Sequence, residues 1–221
     1  MKIFKIIAPL LIVSAIALLP GCSDLMRMPA GSSEDQPALS SDVTEPPENA
    51  IGKYLQGLDT FEVTSADLTD GVWADIISKT DIGENRSPQL SWSPVEGADS
   101  YVIYMVDTNT NGFLHWKSGD VTATDLPQGW ASAVDYAGPH IGHGYTHTFD
   151  IYVIAVKSPV KELKGAVNSV NPNLDEFIQL VDTGADGSTG NIISYGKISG
   201  TYTDSRFRGD RTVDKDKPYY M

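Results

Sequence analysis

Ser100-Tyr101-Val102-Ile103-Tyr104-Met105-Val106 and Thr148-Phe149-Asp150-Ile151-Tyr152-Val153-Ile154-Ala155-Val156 decide the fold. Both are short, almost continuously apolar and rich in β-branched and aromatic side chains. That is the pattern of strands buried on both faces. Shorter stretches support them. Phe61-Glu62-Val63-Thr64-Ser65 and Gln89-Leu90-Ser91-Trp92-Ser93 alternate apolar with polar residues, and Tyr195–Tyr202 reads as a last strand. Turn signals stand between them at Thr69-Asp70-Gly71, Pro94–Gly97, Asn111-Gly112 and Gly138-Pro139. One helix is expected, because Leu174, Phe177, Ile178 and Val181 fall at i, i+3, i+4 and i+7. Asn171 is its candidate cap, Pro172 its start and Gly184 its stop, and Val160–Val167 forms a further short turn. No internal repeat is visible. The expectation is a mostly β domain with short peripheral helices over residues 58–204. About 150 residues suffice for a core without a metal or disulfide.

The segments outside that domain have a different character. Lys2 and Lys5 precede an apolar run from Ile6 to Pro20, which ends at Leu19-Pro20-Gly21-Cys22. A basic start, an apolar stretch of fifteen residues and a small residue before the cut describe a secretory signal over 1–21. A membrane-spanning helix needs about 20 apolar residues, and Pro9 would interrupt one. Residues 22–57 are rich in Ser, Pro, Ala, Asp and Glu, as in Gly31-Ser32-Ser33-Glu34-Asp35, and read as a flexible acidic tether. Residues 205–221 read as a polar tail.

Charge narrows the partners. Sixteen Lys+Arg against 29 Asp+Glu give a net charge of -13 over the 221 residues. Without residues 1–21, which hold two lysines and no acid, the charge is -15. Such a surface repels phosphate backbones, so nucleic acid is excluded as a general partner. The single cysteine, Cys22, excludes a disulfide framework and a Cys-rich zinc knuckle.

Few motifs promise catalysis. Gly-x-Ser-x-Gly and Gly-Lys-Ser/Thr are absent from the sequence. Three of the four histidines, His140, His143 and His147, form His-x-x-His-x-x-x-His within a glycine-rich loop. Imidazole suits zinc, copper or nickel, so these three are metal candidates, although loop spacing carries little information. Asp107-Thr108-Asn109-Thr110-Asn111-Gly112 copies the first half of a calcium-binding loop. Its twelfth position is Ser118, where a bidentate Glu is required. Asp182-Thr183-Gly184-Ala185-Asp186-Gly187 reads as a solvated turn.

Two resemblances add to this reading. Leu19-Pro20-Gly21-Cys22 resembles the bacterial lipobox, which implies a Cys22 acylated through sulfur and a lipid-anchored envelope protein. Ser23 in the next position implies the outer membrane by lipoprotein sorting conventions. Within the domain, three ordered blocks resemble the phosphatidylethanolamine-binding protein family, in its bacterial YbhB/YbcL-like branch. They are Gly83-Glu84-Asn85-Arg86-Ser87-Pro88-Gln89-Leu90-Ser91-Trp92, then Val106-Asp107 through Leu114-His115-Trp116, then Tyr136-Ala137-Gly138-Pro139 through Phe149 and Tyr152.

The resemblance implies a β-sandwich-like domain with a small anion pocket, no cofactor and no enzymatic activity. The ligand would be phosphate or a phospholipid head group. Asp107 matches the first aspartate of the family's Asp-Pro-Asp-x-Pro, and His115 the histidine of its His-Trp. A carboxylate there would orient His115, whose other N–H would point at a phosphate oxygen. Trp116, Gly138, Pro139, Tyr145 and His147 complete the expected pocket. The family's His-Arg-Tyr stands here as Tyr145-Thr146-His147, so the histidine and tyrosine have exchanged places and the arginine is lost. Three functions from different classes follow: a binding module, which extends to a protein partner such as a protease; a metal-dependent hydrolase built on His140, His143, His147 and Asp107; and a structural envelope protein.

Overall fold

The computed structural model describes residues 49–204. Cys22, the signal segment, most of the tether and the tail lie outside them. Among the described residues no helix is long and apolar enough to cross a membrane.

The chain starts with helix α1 (Ala50–Leu55), then short strands β1 (Asp59–Phe61), β2 (Val63–Thr64), β3 (Leu68–Thr69) and β4 (Val72–Trp73). After a 3-10 turn at Asp75–Ile77 come β5 (Leu90–Trp92), β6 (Ser100–Asp107), β7 (Phe113–Val121) and β8 (Asp125–Leu126). The remainder is β9 (Thr146–Val156), β10 (Ser169–Val170), helix α2 (Leu174–Val181) and β11 (Ile192–Thr203). Eight strands make the main sheet in the order β10-β7-β6-β9-β11-β4-β3. The eighth, β1, runs parallel to β11 along the same edge that β4 joins further on. A second sheet has the order β2-β5-β8.

The two deciding stretches are the central pair β6 and β9, which are antiparallel with Tyr101 opposite Ala155 and Asp107 opposite Phe149. Their alternation sends side chains to two separate cores. Tyr101, Ile103, Met105, Ile151, Val153 and Ala155 pack with Val63, Leu90 and Trp92 of the second sheet. Val102, Tyr104, Val106, Tyr152, Ile154 and Val156 pack under Ile51, Leu55, Leu174 and Ile178 of the helices. The result is sheet on sheet with a helical layer behind, so the sandwich with peripheral helices expected from the sequence is the observed architecture.

Two boundaries differ from expectation. The tether was expected to reach residue 57, but Ile51 and Leu55, one helical turn apart, are both fully buried. Burying two such side chains contributes about 1.5–3 kcal/mol each. Asn49 caps that helix, its Oδ1 accepting from the N–H groups of Ile51 and Gly52. The second concerns the helix near 174. It occupies the predicted turns, yet Asn171 does not cap it. Asn171 instead folds its amide into the preceding loop, accepting from Ala166 N–H and donating to the carbonyls of Ala166 and Ser169.

Candidate functional site

At one end of the central strands the alternation breaks in a useful way. Met105 pairs with Trp116 but Val106 pairs with Leu114, so His115 is the extra residue of a β-bulge in β7. Leu114 therefore enters the helix-side core while His115 and Trp116 both turn to the other face. Trp116 fills the core there. It is fully buried, its indole N–H donates to Ser118 Oγ at 2.9 Å, and its ring meets Tyr136 edge-on. It is a core residue, which corrects its expected place in a ligand wall.

His115 lies at the strand end with 2 % of its surface exposed. Its Nδ1 donates to the Ala137 carbonyl at 2.6 Å, since a carbonyl can only accept. Its ring stands against Phe113 (4.8 Å between centroids), Phe149 (5.1 Å) and His140 (5.7 Å). Burial pushes the His115 pKa down to about 4, against the raising effects of the Ala137 carbonyl and the Asp107 charge. The imidazole is thus neutral at pH 7, with its hydrogen on Nδ1.

Asp107 closes β6 and is 5 % exposed. One oxygen, Oδ1, accepts from the N–H groups of Asn109 (2.8 Å) and Thr110 (3.2 Å), which fixes the turn into β7. The other, Oδ2, accepts from Nδ1 of His147 at 2.6 Å. The carboxylate–histidine pair expected for Asp107 and His115 is therefore made by Asp107 and His147. The carboxylate acts on His115 through its charge alone. His147 lies in β9 two residues before Phe149, with its ring stacked on that phenylalanine at 6.4 Å and its side chain 23 % exposed.

The Gly138-Pro139 segment forms another wall. A Cβ on Gly138 would fall 1.9 Å from the Ile77 carbonyl oxygen, so only glycine fits there. Its N–H donates to Asn85 Oδ1 at 2.8 Å, and the Pro139 carbonyl accepts from Lys79 N–H. Asn85 holds a positive φ of 54°, which asparagine tolerates better than most residues. The Gly-x-Asn of the first sequence block thus positions the glycine of the third. Nothing in the sequence links the two blocks.

The histidine loop does not converge on one point. His140 donates Nδ1–H to the Gly138 carbonyl at 3.0 Å, His143 faces Asp204 at 3.1 Å, and His147 faces Asp107. Among the described residues no three His, Cys, Asp or Glu side chains are gathered as a metal ion requires. Tyr145 is 67 % exposed beside Gly142. The calcium-like loop is engaged elsewhere, with Asn109 Oδ1 accepting from Thr148 N–H. A separate surface groove of about 290 Å³, lined in part by Asp67, Trp73, Asp75 and Tyr202, includes none of the candidate binding or metal residues expected from the sequence. Asp67 there is already held by Gln89 N–H and the Gln128 amide.

The arrangement is a polar patch within an aromatic collar: His115, His140 and His147, all fixed through Nδ1, beside the Asp107 carboxylate. Comparison with known proteins places this two-sheet domain. The family profile described as Phosphatidylethanolamine-binding protein matches residues 64–202, and the chain belongs to that family. Among solved structures, the chain is similar to E. coli YbcL, described as a new member of the mammalian PEBP family. The identity is 21 %, the match covers 65 % of this chain and 98 % of YbcL, and the TM-score is 0.49. It is also similar to CT736 from Chlamydia trachomatis, a putative phosphatidylethanolamine-binding protein homolog. There the identity is 19 %, the coverage 65 % of this chain and 97 % of that one, and the TM-score 0.47. No curated protein matches the sequence.

Proposed function

We propose that the protein is a non-enzymatic binding module, lipid-anchored in the cell envelope through Cys22, whose pocket at the Asp107 end of the central strands takes a small anion or phospholipid head group. The observation that carries this reading is the Asp107–His147 hydrogen bond of 2.6 Å beside the buried His115. A histidine held through Nδ1 by a carboxylate can present, in its imidazolium form, an Nε2–H that is a charge-assisted donor to an oxyanion. The aromatic rings around it exclude water from one side, where such a bond gains strength. The pocket has lost the family's arginine at position 146, which is threonine here, and the chain is strongly acidic. Affinity should therefore be modest and fall with added salt less than a lysine-rich site's would. A protein partner, such as a protease, would dock around the same rim.

Native mass spectrometry of the full-length protein released from detergent micelles tests both parts. With phosphate or phosphoethanolamine added, a one-to-one adduct is expected in the wild type and absent from Asp107→Ala and His115→Ala. The intact mass should carry acyl chains that disappear in Cys22→Ala. No adduct in a folded wild type would overturn the binding reading, and an unacylated mature mass would overturn the anchor.

A further inference from the structure

The groove of about 290 Å³ shares no lining residue with the Asp107 site. One wall follows the β3–β4 hairpin from Asp67 to Asp75, and the other is Tyr202 and Thr203 at the end of β11. Trp73 and Tyr202 are buried in these walls, whereas Asp75 is exposed and Val72 is 47 % exposed. Among the described residues the lining holds two carboxylates and no Lys, Arg or His. Each oxygen of Asp67 already takes one donor, from Gln89 N–H or the Gln128 amide, and a carboxylate oxygen can accept a second. The groove is therefore acidic, apolar at its rim, and able to take further donors.

The chain runs on directly from one of these walls. Beyond Asp204 it reads Ser205-Arg206-Phe207-Arg208-Gly209-Asp210-Arg211. Residues 205–221 carry five Lys+Arg against three Asp+Glu, whereas residues 49–204 carry eight against 20. We propose that Arg206-Phe207-Arg208 turns back into the groove, with its guanidinium groups on the Asp67 and Asp75 carboxylates and its ring on Val72. Arg208 is five residues beyond Thr203, so it stays within about 17 Å of that wall. Exposed ion pairs are individually weak, and a free basic peptide would hold so open a groove poorly. A segment tethered this close has an effective concentration in the millimolar range, which populates weak contacts. That difference in magnitude favours the protein's own tail over a separate partner. The docked segment also covers β3, the terminal strand of the main sheet, whose open edge would otherwise offer its backbone to another chain.

The test is photo-cross-linking of the full-length protein carrying Phe207→benzoylphenylalanine, read by peptide mapping, together with hydrogen exchange of the Thr69–Asp75 amides. Cross-links to Asp67–Asp75 within one chain are expected. Cross-links elsewhere in the chain, or none, would overturn the proposal. A cross-linked dimer would give the groove to the tail of a second copy and overturn it too. In Arg206→Glu/Arg208→Glu, and separately in Asp75→Lys, exchange at Thr69–Asp75 should quicken by roughly two- to tenfold, the scale of one or two exposed ion pairs. Combining the three changes restores opposite charges and should return most of the protection. Lys215→Glu/Lys217→Glu makes the same change of charge further along the tail and should leave exchange as in the wild type. Equal quickening in that control would mean a general charge effect and overturn the docking site. If Asp75→Lys does not fold, the cross-link and the arginine variant still decide.

Discussion

Asp107 and Asp150 are one step apart in the register of the two central strands, since Val106 lies opposite Asp150 and Asp107 opposite Phe149. Both carboxylates are at least 95 % buried, yet alternation points them to opposite faces and their surroundings differ in kind. Asp150 is saturated. Its Oδ2 receives the Asn49 amide (3.1 Å), the Tyr152 hydroxyl (3.3 Å) and the Lys197 ammonium (2.9 Å), and its Oδ1 the Ser199 hydroxyl (2.7 Å). Every donor comes from the protein, and two of them, Asn49 and Lys197, bind the start of α1 and strand β11 to β9. Asp107 spends one oxygen on its own turn and the other on Nδ1 of His147, whose side chain is 23 % exposed. A carboxylate closed on all sides holds structure together. On the proposed function, one that passes its influence through an imidazole acts on a ligand outside the chain.

The largest effect that would break this contrast is on the closed side. Asp150→Ala leaves the Lys197, Ser199, Tyr152 and Asn49 donors without their acceptor and uncaps the link to α1. The loss should be about 3–4 kcal/mol, at the lower end of the buried-pair range because Lys197 is partly solvated. For a domain of this size the melting temperature should fall by roughly 10 °C. Phosphate binding, measured well below that melting point, should persist. If Asp150→Ala melted like the wild type, or lost the ligand while folded, the division into a structural and a functional carboxylate would fail.

Next in size is a pH effect confined to the open side. The pKa of His115 is about 4 in the folded state, against about 6.5 in an unfolded chain. Between those values the unfolded state holds the extra proton, so stability rises with pH across the window. The stabilisation is fully present above pH 6.5 and falls away as the pH drops towards 4, by about 3 kcal/mol in all. Urea titrations at intervals through that window should show the slope, and His115→Gln should remove this part of it while Asp150→Ala should keep it. A slope unchanged in His115→Gln would mean that other groups cause the acid sensitivity.

How far the sequence foretells these two ends depends on what each signal measures. Strands β6 and β9 are legible because burial on both faces demands a nearly uninterrupted apolar run, which no other stretch of residues 58–204 matches. Strand β7 is not legible as a strand. The bulge at His115 breaks its alternation, and Lys117, Gly119 and Asp120 dilute it. Helix α1 is hidden for a different reason, as its two buried residues sit in a polar stretch that reads as tether. At the site, Asp107, His115 and the Gly138-Pro139 turn were identifiable from ordered motifs. Their partners were not, because pairing is set by the bulge and by the register of β9. The same bulge turns His115 to the site and leaves Trp116 in the core, which adjacent letters cannot separate. Asn85 was in plain view but its bond to Gly138 spans 53 residues of sequence.

The smallest expected change in stability is also the most discriminating for the open side. In Asp107→Asn the side-chain oxygen can still accept from the Asn109 and Thr110 N–H groups, so the turn into β7 survives and stability should drop by only about 1 kcal/mol. The amide NH2 then faces Nδ1 of His147, which must give up its hydrogen there and accept instead. The negative charge behind the ring is lost at the same time. Anion affinity should fall by about tenfold, the scale of one charge-assisted bond reduced to a neutral one. A purely structural Asp107 would lose stability and keep its anion affinity; a tenfold loss of affinity on an intact fold marks it as the residue that readies His147 for a ligand.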